Sequence, residues 1–356
     1  MYFPKRILLT ALSATLLLQQ GVVQAAEYID VLDMPAAMSQ LAIKGPLTTV
    51  IKAGDRLVAV GARGHIVYSD DAGKTWQQAK VPVSSDLSSA YFVTPAEGWA
   101  VGHDGVILHS TDSGQSWTKQ LDGTQTGKIM LDYYTALAAT DPANERYATL
   151  VSDAQRVVDE GADKPLLDVW FADNQNGYVV GAFGLIFRTA DGGQTWTPLN
   201  DKVENPQGFH LNAINGNGSD LMMVSEQGLI LRLDPATGNF VAMPSPFEGT
   251  YFGVLRTANG IVIYGLSGMA FSSTDGGASW VKLDIPWEKT VTAATQDASG
   301  RLFLFSQAGE ILSSTDGITF QPVPQASASP ISGAVAVGNE AIVLVGPRGV
   351  RVLPIE

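Results

Sequence analysis

Val60-Gly61-Ala62-Arg63-Gly64-His65-Ile66-Val67-Tyr68-Ser69-Asp70-Asp71-Ala72-Gly73-Lys74-Thr75-Trp76 reads as turn, strand, tight turn and aromatic anchor. The phrase returns at Gly102–Trp117, Gly181–Trp196 and Gly265–Trp280, with weaker copies from Ser225 and Ser306 and a truncated one at Gly346. Taking Gly64, Gly105, Gly184, Gly228, Gly268, Gly309 and Gly349 as register marks, the steps are 41, 79, 44, 40, 41 and 40 residues. A period near 40 signals an array of supersecondary units that bury their apolar faces against one another.

Each of the first six units carries four short runs separated by turn residues, as in Leu47–Lys52, Leu57–Gly61, His65–Ser69 and Thr75–Lys80. That is a four-stranded meander. Seven such units predict an all-β, seven-bladed β-propeller forming one domain over 26–356. The seventh unit has three strands, ending at Val350–Leu353. Tyr28–Leu32, with Ile29 and Val31 alternating with Asp30, is expected to supply its outer strand and close the ring. The long step holds an insertion of about 38 residues, roughly 123–164, between blades two and three. Its apolar residues recur at three and four (Ile129, Met130, Tyr133, Leu137; Tyr147, Leu150, Val151, Ala154, Val158), predicting a helical hairpin broken at Asp141-Pro142.

Residues 1–25 read as a secretory signal: Lys5 and Arg6, an apolar run Ile7–Leu18, and small residues before Ala26. Its removal takes the net charge from −13 to −15. An acidic chain lacks the basic face that nucleic-acid binding needs. There is no cysteine, so disulfides and lipid attachment through cysteine are excluded. No later run is long enough to span a membrane. The expectation is an exported, periplasmic or lumenal monomer.

The recurrent Ser/Thr-x-Asp-x-Gly-x-Thr/Ser-Trp is the Asp-box, also called the bacterial neuraminidase (BNR) repeat. It is carried by Asp71 and Trp76, Asp112 and Trp117, Asp191 and Trp196, and Asp275 and Trp280, with a shortened copy at Asp316. The carboxylate accepts backbone N–H groups in its own turn, glycine supplies φ > 0, and tryptophan plugs the gap between blades. Its role is structural. The Gly-x-x-Gly turns join second and third strands, so they lie on the opposite face, together with the insertion. That face presents Arg63, Asp104, Phe183, Gln227, Ser267, Ala308 and Arg348, with His103 and Glu226 alongside. Arg63 and Arg348 fall on blades that become neighbours when the ring closes, a place for a carboxylate. Arg63, Arg348, His103 and Phe183 are the expected partner-binding residues.

His65, His103, His109 and His210 show no metal spacing, and no cofactor motif is present. A sialidase needs three arginines on a carboxylate and a tyrosine nucleophile. Arg232, Arg256, Arg301, Tyr264 and Glu310 occur without a linking spacing, so no catalytic residue is assigned. The remaining alternatives are a propeller binding a small ligand or sugar in its central channel, or a sialidase-like glycoside hydrolase.

The Val-Gly-x-x-Gly-x-Ile-x-x-Ser-x-Asp-x-Gly-x-Thr-Trp phrase, with Gly98-Trp99-Ala100-Val101 and Gly177-Tyr178-Val179-Val180 upstream, resembles the photosystem II assembly/stability factor family. The resemblance runs from Leu47 to Leu353. It implies a non-catalytic exported scaffold that aids photosystem II assembly in the thylakoid lumen or periplasm. It also implies docking to a membrane-complex subunit through a basic patch, matched here by Arg63 and Arg348. Similar propellers in non-photosynthetic bacteria imply an accessory role to an envelope or export complex.

Overall fold

The computed structural model describes residues 29–325 and 328–355. The segment 1–25 and Tyr28 lie outside these residues. Seven antiparallel sheets follow one another along the chain, six of four strands and a last one of three. Their innermost strands are Leu47–Ala53, Leu87–Phe92, Leu166–Phe171, Leu211–Asn217, Tyr251–Thr257, Val291–Gln296 and Gly333–Val337. Each packs on the next, and the last packs on the first. The chain is a seven-bladed propeller.

Two kinds of contact hold the blades together. Apolar clusters fill the wedges, as where Trp99 of blade 2 stacks on Phe171 of blade 3 at 3.5 Å between ring centroids. Truncating such a ring costs roughly 3–5 kcal/mol. Near the channel, side chains on the inner strands bond to the next blade's backbone at a repeating position. Thr48 Oγ1 donates to Leu87 O (2.7 Å), Asn212 Nδ2 to Tyr251 O (2.9 Å) and Thr292 Oγ1 to Ile331 O (2.6 Å). Asp168 in blade 3 joins three blades, accepting from Ser89 Oγ (2.7 Å) and from Ile214 N (2.9 Å).

The Asp-boxes staple the other face. In the first, Asp71 accepts from Thr75 N (2.8 Å), Thr75 Oγ1 (2.6 Å) and Ser69 Oγ (2.8 Å). These bonds, with Thr75 foremost, hold its carboxyl near 2. Ser69 Oγ also accepts from Gly73 N (2.9 Å), which makes the hydroxyl the hub of the turn. The same network recurs around Asp112, Asp191 and Asp275. Around Asp316 it closes over one residue fewer. The indoles of Trp76 and Trp117 donate back to Gly73 O and Gly114 O.

Between blades 2 and 3 stand α1 (Gly123–Thr140) and α2 (Glu145–Glu160), capped by Asp122 and Asn144. Gly127 lets them touch, since a Cβ there would lie 2.8 Å from Val158 N. Tyr134 anchors α1 on blade 3, fully buried, its hydroxyl accepting from Asn200 N (2.8 Å) and donating to Asn200 Oδ1 (3.0 Å).

Over Ile29–Leu32, the described part of the expected outer strand Tyr28–Leu32, no strand forms. Asp30 turns the chain: its carboxylate accepts from Leu32 N (2.9 Å) and its carbonyl from Asp33 N. Val31 O accepts from Ser84 N, and Leu32 O from Lys119 Nζ, so this stretch lies beside blades 1 and 2. Apolar alternation loses to an aspartate that closes its own turn. The ring closes through packing of the first inner strand on the first two strands of blade 7, and blade 7 keeps three strands.

Candidate functional site

The turns of blades 1 to 5 share one backbone shape, which those of blades 6 and 7 do not. Arg63, Asp104, Phe183, Gln227 and Ser267 are all left-handed, with φ of 59°, 56°, 56°, 52° and 55°. For non-glycine residues this costs roughly 1–2 kcal/mol each. The glycine that follows is needed for space as well as for φ: a Cβ on Gly64 would sit 2.2 Å from Val83 O. The next inter-blade loop therefore presses on the turn, and the residue before the glycine is held outward.

Arg63 and Arg348 occupy this position in blades 1 and 7, which are neighbours in the ring. Both are exposed. The Arg63 backbone N donates to Asp86 Oδ1 (2.7 Å), but among the described residues no side chain pairs with either guanidinium. The structure adds Lys44, which the sequence reading missed. Its backbone abuts Gly349, where a Cβ would be 2.6 Å from Lys44 Cα. Lys44 is exposed and likewise unpaired. Lys44 and Arg348 thus share the junction of blades 7 and 1, while Arg63 stands one turn on, at the junction of blades 1 and 2. The missed signal was positional: Ile43–Lys44 stands to Gly349 as Val83–Ser84 stands to Gly64.

His103 is exposed on the neighbouring turn of blade 2, its backbone N donating to Asp86 O (2.8 Å). Phe183 lies apart from the arginines, at the foot of the hairpin. It is 56% exposed, with Lys164 Nζ 5.3 Å above its ring and His210 5.0 Å away. Beside it a cleft of about 240 Å³ runs between α2 and the loop after blade 3, lined by Arg146, Leu150, Asn205 and Pro206. Arg146 fixes that loop by donating to Asn200 O (2.8 Å) and Val203 O (2.9 Å). The hairpin exposes more acids (Asp132, Asp141, Glu145, Asp159, Glu160) than bases (Lys128, Arg146, Arg156). This face therefore carries exposed cations around blades 7 and 1 and a net-acidic hairpin between blades 2 and 3, a polarity that orients an approaching partner.

The other candidate groups are spent internally. Arg232 and Arg256 share Asp220 on the opposite face (3.0 and 2.9 Å), and Arg301 binds Asp297 (3.0 Å). Glu310 is held by Lys289 and Ser306. Tyr264 fills space left by Gly253 in an inner strand. His109 meets Glu97 (2.8 Å) and His210 meets Glu226 (3.0 Å). Among the described residues no cluster of three potential metal ligands occurs, and no helix is long and apolar enough to cross a membrane.

The family described as "Photosynthesis system II assembly factor YCF48" matches residues 45–136 and 148–245, more than half of the chain. The photosystem II assembly lipoprotein Ycf48 of Synechococcus sp. (strain CC9902) is 26% identical over 139 residues, 38% of this chain and 41% of that protein's length. The match therefore spans about two fifths of that relative. Among solved structures, YCF48 bound to D1 peptide is similar at 18% identity and a TM-score of 0.64, covering 92% of this chain and 99% of that one. A streptogramin B lyase is similar at 14% identity and 0.66, covering 89% and 96%. Such likenesses speak for the fold alone.

Proposed function

This chain belongs to the photosynthesis system II assembly factor YCF48 family, and from that premise we propose that it is a non-catalytic docking scaffold for a subunit of a membrane protein complex. It works in an exported compartment, the periplasm or a thylakoid lumen, as a monomer that engages its partner during assembly. The docking surface is the face of the Gly-x-x-Gly turns, with Arg63, Arg348 and His103 as contacts and Phe183 with the hairpin as the far boundary. The observation that carries the reading is the set of exposed cations on adjacent turns of this face, Lys44 and Arg348 between blades 7 and 1 and Arg63 between blades 1 and 2, which have no partner among the described residues, on a chain of net charge −13. Free guanidinium groups are suited to carboxylates. The solved YCF48 structure holds a D1 peptide, so recognition of a polypeptide segment is within the reach of this architecture.

The test is crosslinking and capture from the native envelope, comparing wild type with Arg63→Glu plus Arg348→Glu. Enrichment of one membrane complex, lost in the double variant, supports the reading and names the partner. Equal recovery by both proteins, or no enriched complex, overturns it.

A further inference from the structure

Blade 7 is one strand short, and its outer edge is built to receive that strand. Its third strand, Gly349–Pro354, pairs inward with Ala341–Gly346. Gly346 opposite Gly349 closes a two-residue hairpin, and Ile355 N donates to Glu340 O (2.8 Å). Alternation from these two fixed points turns the N–H and C=O of Val350 and Val352 outward. Among the described residues no fourth strand pairs with them.

The ring itself shows what belongs there. In blades 1, 4 and 5 the register glycine packs on Val83–Ser84, Phe247–Glu248 and Trp287–Glu288, a few residues after the fourth strand. In blade 7 the equivalent contact is Ile43–Lys44. By that spacing the missing strand falls near Ala37–Met38. Those residues are engaged elsewhere: Ala37 O accepts from Gln78 Nε2 (3.0 Å) and Ser39 N donates to Gln78 Oε1 (2.7 Å), both on blade 1. The described chain begins at Ile29 beside blades 1 and 2.

Clefts flank the vacant position. One of about 500 Å³ is lined by Met38, Ile43, Val67 and Trp76. Another of about 400 Å³ is lined by Phe303, Val323, Pro324 and Ile355. Met38, Leu41 and Val352 are 65%, 66% and 39% exposed. Side chains of an added strand alternate between two faces, so each cleft takes apolar residues from one side.

We infer that blade 7 binds an extended segment of a partner protein as its fourth strand, antiparallel to Gly349–Pro354. The segment's apolar residues enter the two clefts, and its C-terminal end carries a carboxylate. The charge argument fixes that last point. An antiparallel strand arrives on the Gly-x-x-Gly face, where Lys44 and Arg348 stand unpaired. Pro354 at the far end limits the ladder to Val350–Val352, which makes the capture short and reversible. This inference does not depend on the photosystem reading.

The test uses the mature chain and a labelled hexapeptide copying residues 238–243 of blade 4 (Gly-Asn-Phe-Val-Ala-Met) with a free carboxylate, followed by anisotropy. Saturable binding is expected, weakened roughly tenfold or more by Val352→Pro, which deletes one outward N–H. Binding several-fold weaker for the peptide amide than for the acid is expected in addition. Should Val352→Pro not fold, methylating successive backbone nitrogens of the peptide gives the same test with the wild-type protein. Alternate positions abolish binding if a ladder forms. Absence of saturation up to about 1 mM, insensitivity to Val352→Pro, or uniform effects of N-methylation overturn the inference. So does a concentration-dependent dimer lost in Val352→Pro, which assigns the edge to a second copy.

Discussion

Tyr134→Phe tests how the helical hairpin is tied to the ring. Tyr134 is fully buried, and its hydroxyl bonds Asn200 twice, at 2.8 and 3.0 Å. Phenylalanine keeps the ring and its packing, so the change isolates those bonds. The Asn200 N–H and Oδ1 lose their partner, at a cost of about 1–3 kcal/mol, with 2 as a central value. If the hairpin opens as a unit, that is about a thirtyfold rise in its opening constant. If the cost is shared by the whole ring, the entropy of a domain this size turns it into a melting shift of about 3 °C. Hydrogen exchange read by mass spectrometry separates the two. Peptides from Gly123–Glu160 should lose protection while those from blades 5 and 6 keep theirs. Unchanged helices, or an equal loss in every blade, would refute the idea that this hydroxyl clamps the hairpin locally.

Asp168 gives a pH dependence. Burial pushes its carboxyl up to about 6, against hydrogen bonds from Ile214, Ser89 and Val169 that pull it down. A folded value above the unfolded one means stability that is complete below pH 4 and lost as pH rises through 6. The shift corresponds to at most about 3 kcal/mol, and the side chain's partial access to the channel reduces it to about 1–2. Urea midpoints at pH 4.5 and 7.5 should therefore move against wild type relative to Asp168→Asn; a pH-independent gap contradicts this. Gly64→Ala and Gly161→Ala both place alanine at positive φ, but only the first meets a neighbour, Val83 O at 2.2 Å. Thermal melts should show a loss of at least about 2 kcal/mol for Gly64→Ala and about 1 for Gly161→Ala, and equal losses would count against the contact. Asp112→Ala removes the acceptor for Ser116 N, Ser116 Oγ and Ser110 Oγ. It should cost about 1–2 kcal/mol and alter the near-ultraviolet signal of Trp117, which unchanged spectra would deny.

The architecture was legible because most blades repeat the same local grammar. Ser69, Asp71, Gly73 and Thr75 make a turn from residues within a span of seven, and repetition in register carries that signal through the chain. Arg63, Asp104 and Phe183 were placed on one face by turn counting alone, since successive hairpins alternate ends. Ring closure was not legible. Ile29 and Val31 alternate like a strand, yet Asp30 bonds Leu32 N and the stretch docks on Ser84 and Lys119. Such a choice is made between distant surfaces, and alternation does not record it. Lys44 was missed for the same reason, because only its contact with Gly349 shows that it shares a junction with Arg348. Phe183 was grouped with the arginines by turn position, but α2 and the loop after blade 3 give it separate surroundings.

The central claim is that Arg348 and Lys44 at the junction of blades 7 and 1, with Arg63 on the next turn, carry the docking. Its most direct measurement is the affinity of the mature protein for native membranes of its own cell, by co-sedimentation at low and high salt. Arg63→Glu plus Arg348→Glu is compared with Arg188→Glu, an exposed arginine on the third strand of blade 3. The account predicts saturable binding that weakens with salt, falls roughly tenfold or more in the double variant, and survives Arg188→Glu. Equal binding by all three proteins, or equal loss in both variants, would contradict it.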